Sequence, residues 1–216
     1  MQSRSSTSAD AQTTHINCTF CQIDSIANYI LEETAHFLIV ADHAPLVEGH
    51  LLIIPRQHYA CYGAVPAELD DELFTIKQEV RLFFAQYYAL PVHWEHGIFR
   101  QTVFHAHLHC FPFGEMGYTP QRQHHKVYSQ TDIRAWYNKN GHYFYMEDST
   151  QALLFAPDMD DYIYIIKDVL GAGVAARNKY ATPLRSPQQR QSEGKPLIAS
   201  LAANWQAFRD QQTRAH

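Results

Sequence analysis

Two hydrophobic patterns alternate along the first half of this 216-residue chain. Between residues 66 and 90, apolar side chains recur every three or four positions, which predicts a long amphipathic helix packed on a sheet. Short apolar runs bounded by turn residues predict five strands, over 28–32, 36–40, 50–55, 93–99 and 102–111. We therefore predict an α+β fold, in which a five-stranded antiparallel sheet carries one long helix and is followed by a C-terminal α/β extension.

The pattern changes beyond residue 118, where a second set of elements begins. These are, in chain order, a polar and basic stretch (118–126), two strand-like runs (142–146 and 152–155), a helix (160–170), a linker or exposed loop rich in Pro, Gln, Arg and Ser (182–195) and a last helix (196–212). We divide the chain into a flexible N-terminal tail (1–15), a domain that carries the candidate chemistry (16–117) and an extension of unknown role (118–216). The sequence shows no recognisable internal repeat.

Composition narrows the classes of protein that the chain can represent. A hydrophobic share of 46% is typical of globular proteins, and a net charge of −5 gives no general attraction to nucleic acids or membrane surfaces. The sequence contains no apolar run of about 18 residues, so no transmembrane helix is predicted. The polar start of the chain lacks the apolar core of a secretory signal, and the four cysteines do not form a disulfide framework. We therefore expect a cytoplasmic protein that binds neither nucleic acid nor membranes.

Three histidines stand at every second position in an apolar run, at His105, His107 and His109. In an extended chain alternate side chains share one face, so the three rings would line up about 6.5 Å apart. The residues between and beside them would then face the core: Phe104, Ala106, Leu108 and Cys110. Such a row fits a metal site or a nucleophilic site, and its spacing alone does not distinguish the two. Histidines on a solvated strand face are a weaker reading, because the run is otherwise apolar.

Further motifs surround this row. Gln101-Thr102 precedes it directly, a Gly-His-strand-Pro-x-x-His element covers residues 49–58, and a Cys-x-x-Cys pair begins at Cys18. In this order, over residues 18–114, the motifs resemble the histidine triad family of nucleotide hydrolases and transferases. Two departures stand out. Arg100 occupies a position where the family usually has glycine, and Glu95 or His96 would have to replace its usual Asn-containing loop.

The resemblance implies a role for each matching residue. His107 would attack the α-phosphate and form a covalent nucleotidyl-histidine, while the main-chain carbonyl of His105 fixes its tautomer. His109 would bind phosphate oxygens and protonate the leaving group as general acid, and His50 would line the same pocket. The remaining implied contacts are Asp42 to the ribose hydroxyls, Gln101 and Thr102 to the phosphates, and Phe20, Ile23 and Leu38 as walls for the base.

The Cys18-x-x-Cys21 spacing supplies half of a zinc site. A redox role would need a thioredoxin-like βαβ context, which the pattern lacks. By the resemblance, His58 and His105 would complete a closed, structural zinc site, and no catalytic metal is required. Two buried free thiols are the alternative.

Three hypotheses about function remain open. The first is a nucleotide hydrolase or nucleotidyltransferase, similar to dinucleoside polyphosphate hydrolases, that cleaves a phosphoanhydride or phosphoramidate at the α-phosphate of a small-molecule nucleotide. Phosphorolysis is not excluded. The second is a nucleotide-binding or interaction module with little turnover, and the third makes the histidine row a catalytic metal site. The resemblance also implies a homodimer.

Overall fold

A single antiparallel sheet contains every strand of the described residues, which are 18–115, 124–177 and 186–214 in the computed structural model. In chain order the strands are β1 (Ile30–Glu33), β2 (Phe37–Ala41), β3 (Leu51–Pro55), β4 (Val92–Glu95), β5 (Leu108–Phe111), β6 (His124–Lys126), β7 (Phe144–Glu147) and β8 (Ala152–Phe155). Across the sheet their order is β1-β2-β3-β5-β4-β7-β8-β6. The predicted α+β class is confirmed, but strands of the extension enlarge the sheet from five strands to eight.

Helices cover both faces of this sheet. They are α1 (Ile23–Ile26), α2 (Asp70–Tyr87), α3 (Gln130–Asn140), α4 (Met159–Tyr164), α5 (Leu170–Arg177) and α6 (Pro187–Arg214), with a π-helical segment (Ile165–Val169) and three 3₁₀ turns (Ala27–Tyr29, Tyr62–Ala64 and Ala67–Leu69). The predicted helix over 66–90 corresponds to α2, whose first turn carries three acidic residues that complement the positive end of the helix dipole. None of the helices within the described ranges combines the length and apolarity needed to cross a membrane.

The two faces of the sheet bury separate hydrophobic cores. On one face α2 and α6 pack together, where the Phe83 ring lies 4.8 Å from Trp205 and 5.6 Å from Phe208 between centroids. On the other face, apolar residues of β4, β5, β7 and β8 pack against Ile165 and Leu170 of the extension. His109 alternates along β5 with residues of the first core, so its ring projects from the second face.

The first part and the extension share one order of connections. The first part runs β3, α2, β4, β5, and the extension runs β6, α3, β7, β8, and in each set the last strand lies between the other two. The two sets meet where β4 pairs with β7, with Trp94 opposite Met146. On its other side Trp94 pairs with His109 of β5. In the same way Met146 pairs with Leu153 of β8, so Leu153 occupies the position in the extension that His109 occupies in the first part. The topology therefore repeats although the sequence shows no repeat.

The predicted strand over 102–111 is wrong for its first six residues. Only residues 108–111 form β5, because His105 N donates to the Val103 carbonyl at 2.8 Å and this tight turn interrupts the extended backbone. The three histidines therefore do not share one strand face. Phe104 is 65% exposed, which contradicts its predicted burial, whereas Ala106, Leu108 and Cys110 are buried as predicted.

Other predicted boundaries also need correction. The strand predicted over 93–99 ends at Glu95, because the backbone turns at Gly97 and Ile98, both at positive φ. The linker predicted over 182–195 is wrong from Pro187 onward, where α6 begins. Ser186 Oγ accepts the Gln189 N–H at 3.3 Å and thereby caps this helix. Parts of the predictions, over 1–15, 118–123 and 182–185, lie outside the described residues.

Candidate active site

A cavity of about 700 Å³ opens on the second face of the sheet, beside the histidines. Phe20 closes it near the N-terminal segment, and His50, His107 and His109 border it from the sheet. The extension supplies the opposite wall, with Tyr162, Ile166 and Leu170 from α4 to α5 and with Pro187, Arg190 and Gln191 from the first turns of α6. The histidines therefore face a pocket that the first part of the chain does not enclose alone.

His107 is held in one tautomer by the backbone. Its Nδ1 lies 2.7 Å from the carbonyl oxygen of His105, and since a carbonyl only accepts, Nδ1 carries the proton. In the neutral ring Nε2 then keeps its lone pair, on a side chain that borders the cavity. His105 is fixed in the same way, because its Nε2 donates to the Pro55 carbonyl at 2.7 Å. This leaves Nδ1 of His105 unprotonated.

A second chain of hydrogen bonds fixes the tautomer of His109. The Leu46 amide donates to Nδ1 of His50 at 3.3 Å, so the proton of the neutral His50 ring is on Nε2. That Nε2 lies 3.0 Å from Nδ1 of His109 and donates to it. His109 must therefore carry its own proton on Nε2. The result is two neighbouring rings of opposite character, with a lone pair on Nε2 of His107 and a proton on Nε2 of His109.

Burial keeps these rings neutral. It lowers the pKa of His50 to about 4, and the charge of Asp42 only partly offsets this effect. It also lowers the pKa of His107, and it lowers that of His109 still further because a proton there would meet His107, His50 and His96. At neutral pH the cavity therefore presents uncharged imidazoles, each able to act as a base, a donor or a nucleophile according to its tautomer.

Some of the residues expected to contact substrate border the cavity, and others lie outside it. Asp42 borders the cavity, 3.6 Å from Nε2 of His50, and Thr102 borders it as well. Gln101 does not, since it is buried with its Nε2 3.4 Å from the His105 carbonyl. Of the three expected base walls only Phe20 borders the cavity, because Leu38 and Ile23 pack in the adjacent core. Ile26, Val40 and Leu52 take their place.

The loop that follows β4 brings a further histidine, His96, to the cavity. The His96 ring lies 5.8 Å from that of His109, and its Nδ1 donates to the Phe99 carbonyl at 3.2 Å. Burial lowers the pKa of His96 to about 4. Glu95, the alternative from sequence, points away and accepts hydrogen bonds from the Tyr62 amide and the Tyr143 hydroxyl. His96 therefore lies where a residue of this loop could contact substrate.

The backbone of this loop is strained. Ile98 has φ of 86° and Arg100 has φ of 57°, a region that costs a residue with a side chain about 1 kcal/mol or more. Gly97, at φ of 50°, is needed for packing too, because a Cβ there would lie 2.3 Å from the Tyr143 carbonyl oxygen. The conformation at Arg100 is one that glycine adopts without cost. This explains physically why the family that the sequence resembles usually has glycine at this position. An arginine here adopts the same conformation only at a cost.

A second cluster lies behind His107. Cys18 Sγ is 3.4 Å from Nδ1 of His105, and Cys21 Sγ is 3.3 Å from Nδ1 of His58. One ligand atom from each of these four residues lies within 4.8 Å of the others. Two sulfurs and two imidazole nitrogens form the donor set that structural zinc prefers, and the hydrogen bond from His105 to Pro55 orients that ligand as outer partners of zinc sites do. The residues therefore fit a zinc ion. Cys61 and Cys110 are buried elsewhere.

Several residues at the cavity were missed by sequence reasoning, among them Tyr162 and Arg190. Tyr162 was inside the predicted helix over 160–170, but its spacing did not indicate which surface the helix faces. Arg190 fell in the predicted linker, yet its Nε donates to the Ala44 carbonyl at 3.1 Å and its charge acts on Asp42 and His50. Arg134, another arginine of the extension, lies on α3, forms a bidentate pair with Asp70 and does not border the cavity.

Several known proteins that are similar to this chain in sequence or structure are named as HIT-like or histidine triad proteins. An uncharacterized HIT-like protein of Mycoplasma genitalium is 32% identical over 107 residues, which are 47% of this chain and 76% of that protein. An adenosine 5'-monophosphoramidase of Candida albicans is 30% identical over 108 residues, which are 45% of this chain and 71% of that protein. HIT abbreviates histidine triad.

Among solved structures, a hypothetical histidine triad nucleotide-binding protein from Sulfolobus tokodaii is 26% identical, covers 57% of this chain and 97% of its own, and has a TM-score of 0.40. A zinc-bound histidine triad family protein from Mycobacterium smegmatis is 23% identical over 57% of this chain, with a TM-score of 0.39. The family model for the HIT domain matches residues 24–116. This range contains the four histidines described above at the cavity, which are His50, His96, His107 and His109. On the domain match and the Mycoplasma relative, the chain belongs to the HIT family.

Proposed function

We propose that the protein is a nucleotide hydrolase or nucleotidyltransferase that works through a nucleotidyl-His107 intermediate. The observation that carries the proposal is the hydrogen bond from His107 Nδ1 to the His105 carbonyl, which leaves the Nε2 lone pair on a ring bordering a 700 Å³ cavity. The relatives named adenosine 5'-monophosphoramidase support the same class of reaction, a cleavage at the α-phosphorus of an adenosine nucleotide.

The proposed reaction has two displacements. Nε2 of His107 forms a bond to the α-phosphorus while the bond from that phosphorus to the leaving-group oxygen or nitrogen breaks. The Nε2–H of His109, the ring whose tautomer is fixed through His50, donates a hydrogen bond to this leaving atom, which departs with the bonding electron pair and takes its proton from solvent, so that His109 stays neutral. A water molecule then attacks the same phosphorus, the bond to His107 breaks, and the water's proton passes to solvent. Inorganic phosphate in place of water would make the second step a phosphorolysis.

The other site residues have supporting roles in this proposal. Asp42, next to His50 at the cavity, would accept hydrogen bonds from the ribose hydroxyls, and Thr102 would bond a phosphate oxygen. Gln101 would act indirectly, through the His105 carbonyl that it contacts. A zinc ion held by Cys18, Cys21, His58 and His105 would tie down the segment that carries this carbonyl. The ion would be structural, and no catalytic metal takes part.

Assembly and location are also proposals. We expect the protein to act on a small-molecule nucleotide in the cytoplasm, with neither nucleic acid nor membrane as partner. A homodimer that extended the sheet would have to add strands at β1 or β6, since β4 is already paired with β7 within the chain. Sedimentation equilibrium would measure the oligomeric state.

Turnover of defined substrates tests the proposal. The full chain should convert adenosine 5'-phosphoramidate or diadenosine tetraphosphate to AMP without added metal, with products identified by chromatography. If nucleotides raise the melting temperature but neither substrate is cleaved, the chain is a binding module. Asp42, His50 and His109 also place ligand atoms within 4.8 Å of one another, which favours the metal alternative. Turnover that depends on a metal lost in His109→Ala, but not in Cys18→Ser, would replace the nucleophile mechanism.

A further inference from the structure

The cavity continues past the histidines on the side of the extension. Five rings follow one another along the cavity, each in contact with the next: Phe20, His107, His109, His96 and Tyr162. The distances between successive ring centroids are 5.4, 4.9, 5.8 and 5.8 Å. Asp42, the proposed ribose contact, is followed by His43, whose ring lies 6.3 Å from that of Tyr29, so the nucleoside side of this line lies near the N-terminal segment. Because in-line attack by His107 expels the leaving group away from the attacking ring, the far compartment, which we call the α4 compartment, is where a leaving group would sit.

Arg100 is the cation of the α4 compartment. Its guanidinium lies 5.9 Å from the centroid of the Tyr162 ring, and both side chains border the cavity. The other arginine at the cavity, Arg190, lies on the nucleoside side, where it donates to the Ala44 carbonyl and its charge acts on Asp42. The two arginines therefore lie at different parts of the cavity.

Two further observations point to a polar ligand here. Trp94 borders the cavity beside His96, and its buried indole N–H has no acceptor among the described residues. A water molecule or a ligand oxygen can satisfy a donor in that state. Arg100 also keeps a left-handed backbone at φ of 57°, where glycine would be free of strain. Strained backbone conformations of this kind cluster at active sites and ligand-binding sites.

We propose that Arg100 selects substrates whose leaving group carries phosphate, so that the enzyme cleaves phosphoanhydrides of nucleotides in preference to phosphoramidates with neutral leaving groups. This inference rests on the proposed function and specifies its substrate class. The guanidinium binds the terminal phosphate oxygens of the departing polyphosphate by charge-assisted hydrogen bonds, and the Trp94 N–H donates to the same group. A departing ammonia offers no charge for Arg100 to bind.

The test compares two donors of the same AMP group in the full chain. For diadenosine tetraphosphate the leaving group is ATP, and for adenosine 5'-phosphoramidate it is ammonia. Arg100→Gly removes the guanidinium and suits the local backbone, so it should fold normally. We expect kcat/KM for diadenosine tetraphosphate to fall about 30-fold, as for loss of a hydrogen bond to a charged group, and that for the phosphoramidate to change less than about twofold. Arg100→Lys should restore part of the loss.

Arg56→Ala is the matched control, because it removes one positive charge that pairs with Glu33 outside the cavity. It should leave both substrates unaffected. Equal losses for both donors in Arg100→Gly, no loss for either, or a wild-type enzyme that cleaves only the phosphoramidate would each overturn the inference while leaving the proposed function standing. A wild-type protein that cleaves neither donor would overturn the proposed function and this inference with it.

Discussion

On the two sides of the central β4–β7 pair, strands with the same connections carry different chemistry. Before β5 the chain makes the long excursion of residues 96–107, which delivers His96, His105 and His107 to the cavity or the cysteine cluster. Before β8 it makes a short turn, in which Asp148 accepts the amides of Thr150 and Gln151. The extension thus keeps the strands and lacks the site. Its contribution to the candidate chemistry is the wall formed by α4 to α6.

The central pair itself holds two glutamates at matching positions with opposite environments. Glu95 ends β4 and Glu147 ends β7. Burial raises the pKa of Glu95 to about 7, since its partners are neutral hydroxyl and amide groups. Burial would also raise the pKa of Glu147, but the charges of Lys77 and His93 outweigh it and hold this pKa well below its usual value. One position thus carries a proton far more readily than the other, because α2 places a lysine beside only one of them.

The largest expected effect concerns His107, the proposed nucleophile, which has no counterpart of the same chemistry in the extension. His107 stands two residues before His109, and Gln151 stands two residues before its counterpart Leu153. His107→Ala should lower kcat at least about 1000-fold, since it removes the ring proposed to form the covalent intermediate. Gln151→Ala is the matched control and should stay within about twofold. Steady-state kinetics on adenosine 5'-phosphoramidate measures both, and comparable losses in the two variants would remove the distinction between the halves.

The cysteine cluster exists only in the first half, and its loss should come next in size. We expect about one zinc ion per chain by atomic absorption, lost in the double variant Cys18→Ser, Cys21→Ser, with a fall in Tm of about 10 °C. Activity should fall too, because the His105 carbonyl that orients His107 loses its anchor. Cys61→Ala, at a buried thiol outside the cluster, should retain the metal. Purified wild-type protein that neither contains nor takes up zinc would refute this prediction.

Removing the charge of Glu147 tests the central pair. Glu147→Gln leaves Lys77 half-buried without its carboxylate, so the free energy of unfolding at pH 7 should fall by about 3 kcal/mol in urea titrations. The low pKa of Glu147 means that this contribution is complete at neutral pH and is lost as the pH falls below 4.5. Glu33→Gln, in an exposed pair with Arg56, should cost about 0.5 kcal/mol or less. Similar costs for both variants would contradict the account.

Glu95→Gln should have the smallest effect and the opposite sign. The pKa of Glu95 in the folded protein is about 7, above the 4.5 of an unperturbed glutamate, so the folded state loses stability as the pH rises from 4.5 towards 7. The variant has no such proton. Its stability relative to wild type should therefore increase by about 2 kcal/mol between pH 5 and pH 7. A difference that does not change with pH would show that Glu95 is ionised in the folded protein throughout this range.

Much of the first half could be predicted from sequence because its signals are local. The spacing of Leu73, Ile76 and Val80 marks α2 without any knowledge of its partners, and the histidine triad resemblance names the residues that meet at the cavity. The histidine row could not be placed correctly, because a long-range contact decides it. The His105 ring turns towards cysteines 87 and 84 positions away along the chain, which periodicity cannot report.

The extension was less predictable for a similar reason. The start of α6 is rich in residues typical of loops, yet Pro187 is tolerated at the first helical position and Gly194 packs against Pro45, where a Cβ would lie 2.6 Å from Cδ. That contact joins positions far apart in sequence. The repeated topology left no sequence signal, because pairing in a sheet requires strands at the right places and not identical side chains.

The covalent intermediate is the central claim, and trapping it is the most direct test. Full-length protein mixed with adenosine 5'-phosphoramidate is quenched at high pH, where phosphohistidine bonds survive, and its peptides are sequenced by mass spectrometry. The account predicts an adenylyl group on His107 in wild type, and its loss in His107→Ala but not in Gln151→Ala. Turnover with no adduct on any residue, or an adduct on a residue other than His107, would contradict it.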